Sequence, residues 1–101
     1  MNSANKSVDG FQLLKADKLS KAAVEFAQMC ILLAINRFPN SCYEQAKLIS
    51  TKFNEKYKKI TVTHSSTWNC GVIKKGYGCT YFTYHCLINM EYNGLNYVIW
   101  I

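Results

Sequence analysis

The chain has 101 residues, half of them apolar, and a formal charge of +6 from 12 basic and 6 acidic side chains. That is material for one small domain and not two, and no apolar run approaches the ~18 residues of a membrane-spanning helix. An odd set of five cysteines and a polar start without an apolar leader argue against a disulfide framework and for a reducing, intracellular setting.

Residues 1–10 are small and polar, end in Asp9-Gly10, and are expected to form a flexible tail before a domain at 11–101. Phe11 to Ala16 reads as a short strand. Leu19, Ala23, Phe26, Cys30 and Leu33 then recur at spacings of four and three, one apolar stripe of a helix. Asp17 or Ser20 can cap it, since a side-chain oxygen accepts from an otherwise unpaired backbone N–H. Pro39 stops it.

A second helix restarts with Asn40 or Ser41 as cap and Glu44 in its first turn. Tyr43, Ala46, Ile49, Phe53 and Tyr57 form its apolar face. Gln45, Lys47, Ser50, Thr51, Asn54 and Lys58 fall opposite, on the expected solvent face. After Lys59 the period changes to two: Ile60, Val62, Trp68, Cys70 and Val72 alternate. Beyond Gly78 come aromatic and β-branched runs, and Asn93-Gly94 between two of them signals a tight hairpin, because both residues tolerate positive φ. A strand, two helices, then three to five antiparallel strands is an α+β order.

The chemical motifs are weak. No Cys-x-x-Cys pair exists, and His85 and Cys86, as strand neighbours, would face opposite ways, so no zinc site is expected. Cys70 or Cys86 with His64 or His85 could pair as nucleophile and base, yet nothing electropositive flanks either cysteine. Gly76-Tyr77-Gly78 after Lys74 and Lys75 lacks both phosphate-loop patterns and reads as a turn. From Gly78 onward there is no Lys or Arg among the aromatics, which argues against a nucleic-acid platform. No catalytic residue, metal or cofactor is assigned. The late strands are apolar on both parities. Two helices can cover one face; the other calls for a second subunit, and an exposed edge invites an added strand.

The segment "KFNEKYKKITVTHSSTWNCGVIKKGYG" resembles the eight-kilodalton family of dynein light chains. Phe53 and Tyr57 match the family's helix end, Thr67-Trp68-Asn69-Cys70 its Trp strand, and Tyr77-Gly78 its Phe/Tyr-Gly turn; the likeness covers roughly residues 11–101. It implies two helices packed on an antiparallel sheet and a strand-exchanged dimer, with no enzymatic activity. The strand after Tyr77-Gly78 would cross to a partner, leaving two grooves that take extended segments by strand addition. The implied partners are dynein intermediate chains and another light chain of the same family, with no membrane or nucleic acid. By position, Gly78, Cys79, Thr80, Tyr81, Phe82, Thr83 and Tyr84 would form the pairing strand. Ile88, Met90 and Tyr92 would line the groove floor, and Cys42, Tyr43 and Glu44 would lie beside it. Asn69, Tyr77 and Gly78 would lie near the dimer contact.

The chain also departs from the family. Ser41-Cys42-Tyr43 stands where the family has a Glu-Lys pair, and Asn69 replaces its usual histidine, removing a histidine pH switch at that position. Lys58 to Ser66 is an insertion, and the usual short polar tail after Ile101 is missing. The divergence, with Trp100, points to an axonemal member in the cilium or flagellum, placed in the cytoplasm and cytoskeleton. The alternatives are a general peptide-binding hub of the same fold, and a thiol or metal enzyme.

Overall fold

The computed structural model describes residues 10–57, 67–74 and 83–101. In chain order these form β1 (Gln12–Asp17), α1 (Lys21–Arg37), α2 (Cys42–Tyr57), β2 (Asn69–Lys74), β3 (Leu87–Tyr92) and β4 (Leu95–Trp100). The four strands make one sheet in the order β1-β3-β4-β2, each pairing antiparallel. The α+β architecture expected from the sequence is the one observed.

Local signals explain most boundaries. The Ser20 hydroxyl accepts from the Ala23 N–H at the start of α1, and Phe38, just before Pro39, ends it. The Ser41 hydroxyl likewise accepts from the Glu44 N–H at the start of α2. Asn93 and Gly94 both adopt positive φ, 54° and 77°, which gives a two-residue turn the twist that suits the β3–β4 hairpin. Leu14 interrupts the register between β1 and β3 and is 46% exposed, the extra residue of a bulge.

One face of the sheet packs under both helices. Ile88 and Met90 of β3 and Tyr97 and Ile99 of β4 join Ala27, Cys30, Ile31, Ala34, Ile49, Phe53 and Trp68 in a single core. Burying such side chains contributes about 1.5–3 kcal/mol each for the larger aliphatics. The aromatic part of the core is continuous. Phe53 lies 5.1 Å from both Phe26 and Trp68, and Tyr57 closes the group. The stripe on α1 is partly as expected: Ala23 and Cys30 are buried, but so are Ala27, Ile31 and Ala34, while Phe26 and Leu33 are only half-buried. Three of the five buried positions on α1 are alanines, whose small side chains permit close packing that apolar spacing alone does not reveal.

The α2 face needs a larger correction. Gln45, expected toward solvent, is 3% exposed, and Tyr43, expected in the core, is 72% exposed. Gln45 is buried because both ends of its amide are satisfied. Its Nε2 donates to the Phe38 carbonyl at 2.8 Å, and its Oε1 accepts from the Tyr97 hydroxyl at 2.8 Å. A bonded amide can occupy a core position that an unbonded one cannot.

Among the described residues, no helix packs on the opposite face of the sheet, although Leu87 and Val98 on it are buried. Strand alternation and register place Leu87, Asn89, Glu91, Asn96, Val98, Trp100, Asn69, Gly71 and Ile73 there. Neither helix's buried residues share a cluster with them.

Candidate functional site: the groove between α2 and β2

α2 runs beside β2, and three side-chain bonds hold them together. Asn54 Oδ1 accepts from the Trp68 N–H at 2.7 Å, and its Nδ2 donates to the Trp68 carbonyl at 3.3 Å. The Ser50 hydroxyl donates to the same carbonyl at 2.8 Å. The Asn54 amide thus reads both backbone groups of Trp68, as a neighbouring strand would. Buried Trp68 supplies the apolar anchor below.

Toward the start of α2 the helix and strand diverge into an open groove of about 380 Å³, lined by Tyr43, Ala46, Lys47, Ser50, Asn69, Cys70 and Trp100. Tyr43, Ala46, Lys47 and Ser50 sit at steps of three, four and seven, one helix face. β2 supplies Asn69 and Cys70, and β4 supplies Trp100. Among the described residues, β2 pairs only with β4, so its outer backbone edge borders the groove. An unpaired strand edge offers a row of N–H and C=O groups to an extended chain.

Three thiols, Cys70 in the groove lining and Cys30 and Cys86 elsewhere, are not poised for chemistry. Burial pushes Cys70 up to about 12 and Cys30 up to about 11. Burial also raises Cys86. A reactive thiol needs the opposite shift, toward the thiolate. Tyr97 is likewise pushed up to about 12, first by burial, so its hydroxyl stays a donor to Gln45. Among the described residues, no three His, Cys, Asp or Glu side chains gather as metal ligands.

The sequence-derived site residues scatter. Tyr43 lines the groove with Asn69, and exposed Cys42 begins α2 beside it. Ile88 and Met90 do not reach the groove. They are fully buried under the helices, with β4 between them and β2. Tyr92 is half-buried and stacks on Phe11, ring centroids 4.3 Å apart, on the β1 side. Thr83 and Tyr84 are not in a strand; the Tyr84 hydroxyl donates to Asp17 at 3.0 Å. Tyr77, Gly78, Cys79, Thr80, Tyr81 and Phe82 lie outside the described residues. Lys47, Ser50 and Trp100 were not singled out as groove residues. The i, i+3, i+4, i+7 spacing from Tyr43 could have found the first two.

The solved structures that resemble this chain agree on its architecture. The dynein light chain-like domain of Fasciola hepatica calcium binding protein FhCaBP2, as a mercury derivative, superposes with a TM-score of 0.70 over 96% of each chain at 13% identity. The native form of that domain gives 0.69 over 93% of this chain and 96% of that one, at 14% identity. The fold is that of the dynein light chain-like domains. The corresponding domain of CsTAL3 gives 0.65 at 12% identity, covering 92% of this chain and 93% of that one. At such identity the likeness is one of fold. The chain matches no protein-family model and no curated protein.

Proposed function

We propose that this chain is a non-catalytic, dimeric light chain of the dynein type. It pairs with a second copy, or with a related light chain, and clamps dynein intermediate-chain segments by β-strand addition. Its setting is axonemal dynein, in the cytoskeleton of a cilium or flagellum.

The open edge of β2 beside the α2 groove carries this reading. Two other features support it. Ile73 and Trp100, on the sheet face that no helix covers among the described residues, are half-buried, and a second subunit would cover them. The buried thiols are held protonated, which favours a binding role over thiol catalysis. Two weak sites on one dimer gain from effective concentration, so paired intermediate chains are held side by side without any new contact.

Sedimentation velocity at micromolar concentration, with and without intermediate-chain segments from ciliary dynein, tests the reading. The expected result is a dimer that binds two segments. A monomer that binds none would overturn it.

A further inference from the structure

We infer that the outer face of α1 docks an amphipathic helix of another protein, one whose apolar stripe is edged by carboxylates. The face is separate from the β2 edge and serves a monomer or a dimer alike. Met29 to Ile35, within α1, is an unbroken apolar run. It spans about two turns, so its side chains point all round the helix. A helix apolar all round is normally buried all round. Here Cys30, Ile31 and Ala34 are buried in the core, while Met29 is left 58% exposed and Leu32 40% exposed.

The uncovered residues are ordered along the helix. Ala22, Phe26, Met29 and Leu33 follow at steps of four, three and four, a second apolar stripe beside the core one. Ala22 and Met29 are exposed, and Phe26 and Leu33 are half-buried. Phe26 turns this stripe toward α2, where its ring lies 5.1 Å from that of Phe53. The facing bank on α2 is Leu48, Lys52 and Lys56, spaced one turn apart. The Lys56 ammonium stands 5.1 Å from the centre of the Phe26 ring and 5.7 Å from that of Tyr57. Burial raises the Cys30 thiol while Lys52 and Lys56 act against it, so both ammoniums lie near this part of α1. Exposed Glu25 is one turn before Met29, on the side away from α2, and exposed Glu55 follows Lys52.

Shape and charge select the occupant. Both banks are helices with their backbone bonds made internally, so this face offers no edge to an extended strand. A third helix fits, its side-chain ridge seated between two others. Its apolar residues would meet Met29, Leu32 and Leu33, and the unbranched Met29 side chain adapts to what it meets. Its carboxylates would face Lys52 and Lys56, with the acidic Glu25 bank fixing which edge turns toward α2. A second copy would instead bring a net +6 chain against the same lysines.

The probes are two synthetic helical peptides with the same Leu stripe, one edged with Glu and its twin with Lys at those positions. Fluorescence anisotropy reads affinity for the full chain. Peroxide oxidation with peptide mass mapping reads location, because exposed methionine oxidises and fully buried Met90 serves as the internal reference. Met29 of the free chain is expected to oxidise well ahead of Met90. The Glu peptide should protect it, and the Lys twin should not. Met29→Gln and Lys52→Gln/Lys56→Gln, each with a circular dichroism spectrum and urea midpoint close to wild type, should weaken the Glu peptide about tenfold or more, as for residues at an interface centre. Equal binding of the two peptides, or wild-type affinity in the folded variants, overturns the inference. So does a Met29 already protected in the free chain, since another segment or a second copy would then cover the face. Protection by phosphatidylserine vesicles and by neither peptide would make it a lipid surface and overturn the inference as well.

Discussion

The two outer strands of the sheet are treated in opposite ways. β1 is interrupted by a bulge at Leu14, carries Lys15 and Asp17, and is followed by Lys18 at a φ of 61°. β2 runs in unbroken register with β4 from Asn69 to Lys74, without proline, and its one charge is at its last position. Bulges and charges are the usual devices that keep an edge strand from recruiting another chain. This chain uses both at β1, whereas β2 has no bulge and a single lysine at its end. Among the described residues the difference leaves β2 the less guarded edge, and the groove lies on that side. The strongest test of the contrast is to detach β2 from its support.

Trp68→Ala removes the anchor at the start of β2, where the indole packs against Phe53 and Tyr57. The expected loss is about 3–5 kcal/mol, as for other large-to-small aromatic changes in cores. Urea unfolding measures it, and a loss below that of an exposed aromatic would show that β2 is held by something else. Trp68→Phe should be milder, since the buried indole N–H, which has no hydrogen-bond partner among the described residues, goes with it. Asn54→Leu is narrower. It leaves the buried Trp68 N–H without its acceptor, and about 1–3 kcal/mol is expected for such an orphaned group. Hydrogen exchange should show β2 amides losing protection ahead of those of β1. Equal loss at both edges would break the comparison.

Alkaline titration sharpens it further, because Cys70 is in β2, Tyr97 is in β4 beside it, and Cys30 is beneath. Burial raises all three above their ordinary values. A raised folded-state value means the unfolded chain releases its protons first. The stabilisation is therefore complete below the ordinary thiol value of 9.0 and is lost as pH climbs toward about 11 and about 12. The urea midpoint should fall through that window, and Cys70→Ala should make the fall shallower. An unchanged slope in that variant would show that Cys70 contributes nothing. Exposed Cys42 should be the first of the described cysteines to react with a thiol reagent.

Much of the fold was legible because local chemistry and tertiary packing agreed. The Ser20 and Ser41 caps, the Pro39 stop and the Asn93-Gly94 turn each had a mechanism readable from a few residues. Gln45 and Tyr43 were misread for a physical reason: binary patterning weighs side-chain polarity and cannot see a bonding partner 52 residues away in Tyr97. The groove was only partly legible. Strand alternation placed Trp68, Cys70 and Val72 on one face, which the core and its partly buried neighbours bear out. It could not reveal that β3 lies inside the sheet, which takes Ile88 and Met90 away from the groove. Strand order is set by long-range pairing, to which no local pattern points.

The smallest expected effect lies at the guarded edge. The Tyr84 hydroxyl donates to the Asp17 carboxylate at 3.0 Å, while the Lys15 ammonium stands 5.6 Å from the centre of the Tyr84 ring. The Tyr84 hydroxyl is also the main reason Lys15 titrates above its ordinary value. Tyr84→Phe keeps the ring and its cation contact and removes only the hydroxyl. Asp17 is half-buried and can turn to water, so the loss should stay near the low end of the roughly 0.5–1.5 kcal/mol of a typical hydrogen bond. β1 lies at the far end of the sheet from β2, with β3 and β4 between. Distant sites with no shared partner act independently. Tyr84→Phe should therefore lower the urea midpoint slightly and leave the dimer dissociation constant unchanged. If sedimentation showed association falling more than stability, the two edges would be coupled, and β1 would be part of the assembly surface.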